Sequence, residues 1–240
     1  MEFVADTFRM IHVAFGFLGL AAFWAPVFMK KGGKRHVQFG RVFVWSAYIV
    51  LGAAAISLTQ RVVTMQIDGI TYADKPGTYS FIAFLGYLTL VTYVGVRHGM
   101  KVLEGKTPDS VDTPLNRVLA YVSIAASVSV ILFALIWSPP VKIVLLALSP
   151  IGFGIGFGNL RYMNGKVPSK RGWFYEHLGA MLGTGIAFHT AFAVFGLQQL
   201  FQINVTGWAA LIPWAGPAAI GIPAIAIWTN YYRKKFGETA

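Results

Sequence analysis

Lys30-Lys31-Gly32-Gly33-Lys34-Arg35-His36-Val37-Gln38-Phe39-Gly40-Arg41 sets five cationic side chains and a histidine between two long apolar runs. Those runs, Met10–Met29 and Val42–Leu58, are each long enough, or nearly so, to cross a hydrocarbon core of ~30 Å. A connection this basic and this short stays on the cytoplasmic side of a membrane. It therefore sets the direction of the first two spans and, by alternation, of every later one.

Five more apolar runs follow: Tyr79–Val96, Val118–Trp137, Ile143–Leu160, Leu178–Leu197 and Trp208–Thr229. Lipid offers backbone N–H and C=O groups no partner, so long runs without strand-like alternation predict helices. The expected fold is all-α, an integral membrane bundle of seven transmembrane helices forming a single domain over residues 1–240. Only 12% of the residues are charged, against about 25% in a soluble domain. The lipid bilayer must cover much of the exterior.

Charge placement predicts the topology. Sixteen of the 20 Lys and Arg fall in the connections on one side once the opening stretch is put inside. That bias places the N-terminus out and the C-terminus in, with Trp137 and Trp208 at outer helix ends and Trp173 and Trp228 at inner ones. The formal net charge of +11 is spread over these connections, which argues for orientation and against nucleic acid. The run from Met10 is too long for the core of a removable signal peptide and reads as the first span. The chain has no cysteine, which excludes disulfides, thiolate metal sites and cysteine nucleophiles.

Small residues predict close helix approaches. Gly152/Gly156 and Gly154/Gly158 on the fifth span, and Gly179/Gly183 on the sixth, have the spacing that lets backbones touch. Pro213, Pro217 and Pro223 predict a bent seventh span.

The candidate chemistry rests on histidine. All nine acids read as tail, loop or edge residues, which counts against a carboxylate relay through the spans. The last span has no lysine for a retinal Schiff base. His12 and His189 lie within apolar runs on small-residue stripes, as axial ligands of a haem b would. The alternative is that each bonds a backbone carbonyl across a helix contact. Their surroundings echo each other, His12-Val13-Ala14-Phe15 and His189-Thr190-Ala191-Phe192, on helices running in opposite directions. His36, His98 and His177, with Glu176, fall at the inner surface, and three imidazoles with a carboxylate suit a divalent metal such as zinc. No close spacing forces these four together.

His12-x-x-x-Gly16-Phe17, the basic stretch with His36 and Gly40-Arg41, and His177-x-x-x-Met181 resemble the bacterial membrane proteins grouped as domain of unknown function 2306. The likeness runs over nearly the whole chain, and its most specific part is the first two spans with their connection. It implies a polytopic protein of the bacterial plasma membrane with histidines recurring at His12, His36 and His177; His189 is not part of that pattern. No activity comes with the resemblance.

Three functional expectations follow. The first is a histidine-ligated haem b or metal centre with a membrane redox role. The second is a non-enzymatic small-solute transporter or sensor, in which the basic stretch draws an anionic lipid or small solute to the cytoplasmic face. The third is a metal-dependent hydrolase with Glu176 as base. His36 and His177 are expected to converge on a polar pocket.

Overall fold

The structure is a computed structural model that describes residues 2–166, 169–202, 209 and 211–238. Among the described residues, seven helices are long and apolar enough to cross a membrane. They are α1 (Glu2–Phe28), α2 (Lys34–Ile67), α3 (Pro76–Gly105), α4 (Pro114–Trp137), α5 (Lys142–Met163), α6 (Gly172–Phe201) and α7 (Leu211–Lys235). The described residues contain no strand. Trp208, the expected first residue of the last span, lies outside the described residues.

The helices overrun the apolar runs that announce them. Helix α2 starts at Lys34, so most of the basic stretch is helical and the turn itself is confined to residues 29–33. Gly32 makes that turn possible with φ +74°, a conformation that costs other residues. Lys, Arg and Gln are good helix formers, and above the hydrocarbon their charge carries no penalty, so the helix continues past the end of the apolar signal. Helix α3 likewise runs on to Gly105, which puts His98 inside a helix rather than at its end.

Helix α3 is the hub of the bundle, packing against α2, α4, α5 and α6, while α1 lies along α2 and α7 lies on α6. Of the two glycine pairs on α5, Gly152 and Gly156 face α4, where an added Cβ at either would lie 2.6 Å from a backbone oxygen, of Ser123 or Ala120. Gly154 and Gly158 have open space around them. The expectation for Gly179/Gly183 is corrected: nothing lies within 4 Å of a Cβ added at either. The close approaches of α6 are made instead by Gly185, under the Phe23 ring, and by Ala180, which meets Gly99 of α3.

Helix α5 is interrupted at Ser149–Pro150. Proline removes a donor from the helix ladder, and Tyr87 of α3 serves the gap. Its hydroxyl accepts the Gly152 N–H at 2.9 Å and lies 2.9 Å from the Ser149 carbonyl oxygen. Helix α6 carries a π-helical turn at Phe192–Gly196. Helix α7 contains Pro217 and Pro223, and its most apolar window buries no residue.

Candidate functional site

The basic ends of the helices gather the polar side chains, and the crossing of α3 and α6 organises them. Gly99 and Ala180 meet there so closely that a Cβ at Gly99 would overlap the Ala180 methyl. With the backbones in contact, the neighbouring side chains fall on either side of the crossing.

On one side His98, 6% exposed, places Nε2 3.2 Å from Oε2 of Glu176. Glu176 lies in the second turn of α6, at the edge of the helix as expected, and its partly exposed carboxylate turns toward the α3 imidazole. The Tyr162 ring of α5 stands edge-on to His98 at 5.8 Å between centroids. Tyr162 is fully buried, and its hydroxyl has no hydrogen-bond partner among the described residues.

On the other side His177 donates from Nδ1 to the Gly99 carbonyl at 2.8 Å. His36 sits in the first turn of α2 and donates from Nδ1 to the Pro26 carbonyl at 3.1 Å. Pro26 and Val27 belong to the last turn of α1, whose carbonyls have no intrahelical donor. Lys31 reaches both of them at 2.8 Å, and a cation there also meets the negative end of the helix dipole. Burial pushes the Lys31 ammonium below its ordinary value. The Trp228 ring of α7 lies 5.9 Å from it. His36, His177 and Lys31 are all within electrostatic reach of one another.

The six candidate residues are therefore distributed over four places. His36, His177 and Lys31 lie within electrostatic reach of one another, and His98 pairs with Glu176. Among the described residues no three His, Cys, Asp or Glu side chains gather as metal ligands would. The reason is geometric: the α3–α6 contact at Gly99 stands between the two pairs, and each imidazole already has a partner. His12 and His189 are not brought together either. His12 donates from Nδ1 to the Val50 carbonyl of α2 at 3.1 Å. His189 bonds the Gly185 carbonyl of its own helix at 2.7 Å and sets its ring edge-on to Phe23 and Trp24 at 5.3 Å. Those aromatic residues follow His12 along α1 by roughly 16–18 Å of helix rise. Axial ligands of one iron would have to face each other across it.

Two contributors escape sequence reasoning. Tyr162 is an ordinary tyrosine at the end of an apolar run, and nothing in its neighbours signals burial. Lys31 is visible, but its charge reads as an orientation signal and not as part of a site.

No family model matches the chain, and no curated protein or solved structure does. The likeness to domain of unknown function 2306 rests on the residues quoted for it.

Proposed function

We propose that this chain is a multi-pass carrier that binds a small anionic solute at Lys31, His36 and His177, with its basic end on the cytoplasmic side of a bacterial plasma membrane. One observation supports the reading: three nitrogen-bearing side chains lie within electrostatic reach of one another, while Glu176, the acid nearest them in sequence, is engaged by His98. Such a cluster attracts an anion. A divalent cation would meet the Lys31 charge and find no carboxylate to offset it, so the metal reading has less support here.

The hydrogen bonds refine the chemistry. With Nδ1–H committed to a carbonyl, the Nε2 of neutral His36 and His177 carries a lone pair. An anion is held at Nε2 only when that nitrogen gains a proton. Binding of the solute is thus coupled to protonation of one imidazole or both. The Nε2–H of the imidazolium then makes a charge-assisted bond to the anion.

Features of α6 and α7 suit a protein that changes shape. The π-helical turn of α6 and the two prolines inside α7 weaken the regular ladder where the helices meet. Between them lies a cleft of about 340 Å³ lined by Ala193, Leu197, Ile212 and Pro213.

Equilibrium binding of inorganic phosphate and succinate to the full chain in nanodiscs of zwitterionic lipid tests this reading. Saturable binding that weakens at least about tenfold in His177→Gln and Lys31→Gln is expected, since each removes one charged partner. Binding unchanged in both variants rejects the site. Added anionic lipid that competes with the solutes identifies a phosphate site shared with the membrane, and failure to compete identifies a solute site.

A further inference from the structure

Tyr162 raises a separate question. Among the described residues its hydroxyl is buried without a hydrogen-bond partner, although a buried polar group is normally paired and its desolvation is otherwise uncompensated. Within electrostatic reach of that hydroxyl lies Glu176, whose Oε2 faces His98. The Tyr162 ring stands edge-on to His98 at 5.8 Å between centroids, and His98 Nε2 lies 3.2 Å from Glu176 Oε2, so the three side chains adjoin through His98. Glu176 is the most open of the three, at 25% exposed against 6% for His98 and 1% for Tyr162.

We propose that His98, Glu176 and Tyr162 form a proton-exchange site in which the Glu176 carboxylate changes partner when His98 loses its proton. When His98 is an imidazolium, its bond to the carboxylate joins opposite charges and outcompetes a phenol. Once the proton leaves, the imidazole is a neutral donor at best and its hold weakens. The Tyr162 hydroxyl then takes the carboxylate and satisfies its own buried donor.

The proton balance is simple. The N–H bond at His98 Nε2 breaks and an O–H bond forms at Glu176 Oε2. The exposed edge of Glu176 then releases that proton to water at the basic end. Uptake runs in reverse, so the ligand of the site is a proton drawn from the aqueous phase.

Charged groups neighbour this triad. On α3, Lys101 is tied to Glu104 at 2.9 Å, and Arg97 is within electrostatic reach of Tyr48 while its buried Nε has no hydrogen-bond partner among the described residues. On α5, Arg161 points its Nε at the Lys166 carbonyl, 3.4 Å away. On α6, His177 is turned to Gly99, on the far side of the α3–α6 contact from His98, and within electrostatic reach of Lys31 and His36.

The test is a pH titration of the full chain in zwitterionic nanodiscs by NMR, with labelled histidine nitrogens and labelled tyrosine ring carbons. His98→Gln and Tyr162→Phe supply the assignments. In the unaltered protein the Tyr162 Cζ resonance should move with the same midpoint as His98. Tyr162→Phe should raise the proton affinity of His98 by about three- to tenfold, because the deprotonated state loses its hydrogen bond. Glu176→Gln should lower it, because the imidazolium loses its counter-charge. A Tyr162 resonance that stays flat through the His98 titration overturns the proposal. So does a His98 midpoint unmoved by Tyr162→Phe, the result expected of a merely structural ion pair.

Discussion

His177 holds the Gly99 carbonyl at 2.8 Å, immediately beside the residue, His98, that Glu176 holds at 3.2 Å. Consecutive residues of α3 thus meet consecutive residues of α6, and both hydrogen bonds depend on the backbones staying in contact. Replacement of Gly99 by alanine brings a methyl group onto Ala180 and to 3.0 Å from Met181 Cε. Overpacking of this kind costs about 1–3 kcal/mol, and thermal unfolding in detergent should show it. Gly179→Ala, with open space around it, should be neutral or slightly stabilising.

The interrupted helix makes a second prediction. Tyr87→Phe leaves the Gly152 N–H without its acceptor in a buried place. The expected loss is roughly 1–3 kcal/mol. An unchanged unfolding temperature would show that the Tyr87 hydroxyl is dispensable at the break in α5.

A third concerns the chain end. Glu238 accepts from the Ser169 hydroxyl at 2.7 Å and from the Tyr175 hydroxyl at 2.9 Å, which latches the end of α7 to the start of α6. Hydrogen bonding, led by Ser169, holds its carboxyl below the usual glutamate range. A depressed carboxyl stabilises the folded arrangement above its unfolded value and loses that contribution as pH falls through the folded value. Acidification should therefore release the latch, read as a change in Tyr175 or Phe236 environment. Glu238→Gln should remove the pH dependence, and a transition that persists in this variant would assign it elsewhere.

Much of the architecture is legible in the chain. Apolar run length gives all seven helices, because lipid leaves the backbone no other solution. Helix ends are not legible this way: hydropathy marks the edge of the hydrocarbon, whereas Lys34–Arg41 extend α2 beyond it. Glycine spacing finds Gly152/Gly156 but misleads at Gly179/Gly183, and the Gly95/Gly99 pair of α3 is missed although Gly99 packs tightly against an alanine, Ala180. The imidazoles are conspicuous in so apolar a chain, yet their partners are not. His98 and Glu176 are 78 positions apart, and only the α3–α6 crossing joins them.

Orientation makes a fourth prediction, resting on the charge bias. Reporters fused after the last residue should read cytoplasmic, and reporters placed in the connection at residues 68–75 should read external. Neutral replacement of Lys30, Lys31, Lys34 and Arg35 together should give a mixed population. A uniformly reversed pattern would reject the assignment of the basic end to the cytoplasm.

The most direct measurement of the central claim is anion flux in sealed vesicles of zwitterionic lipid containing the full chain. Labelled phosphate and succinate are offered from the side of the basic end over a range of pH. Protonation of His36 and His177 is required for the anion to be held, so flux should rise as pH falls into the range where these imidazoles gain a proton. Protons should accompany the anion, and His177→Gln and Lys31→Gln should abolish the flux while leaving the unfolding temperature close to that of the parent. Flux no greater than in empty vesicles for both anions, or flux indifferent to these two substitutions, would contradict the account.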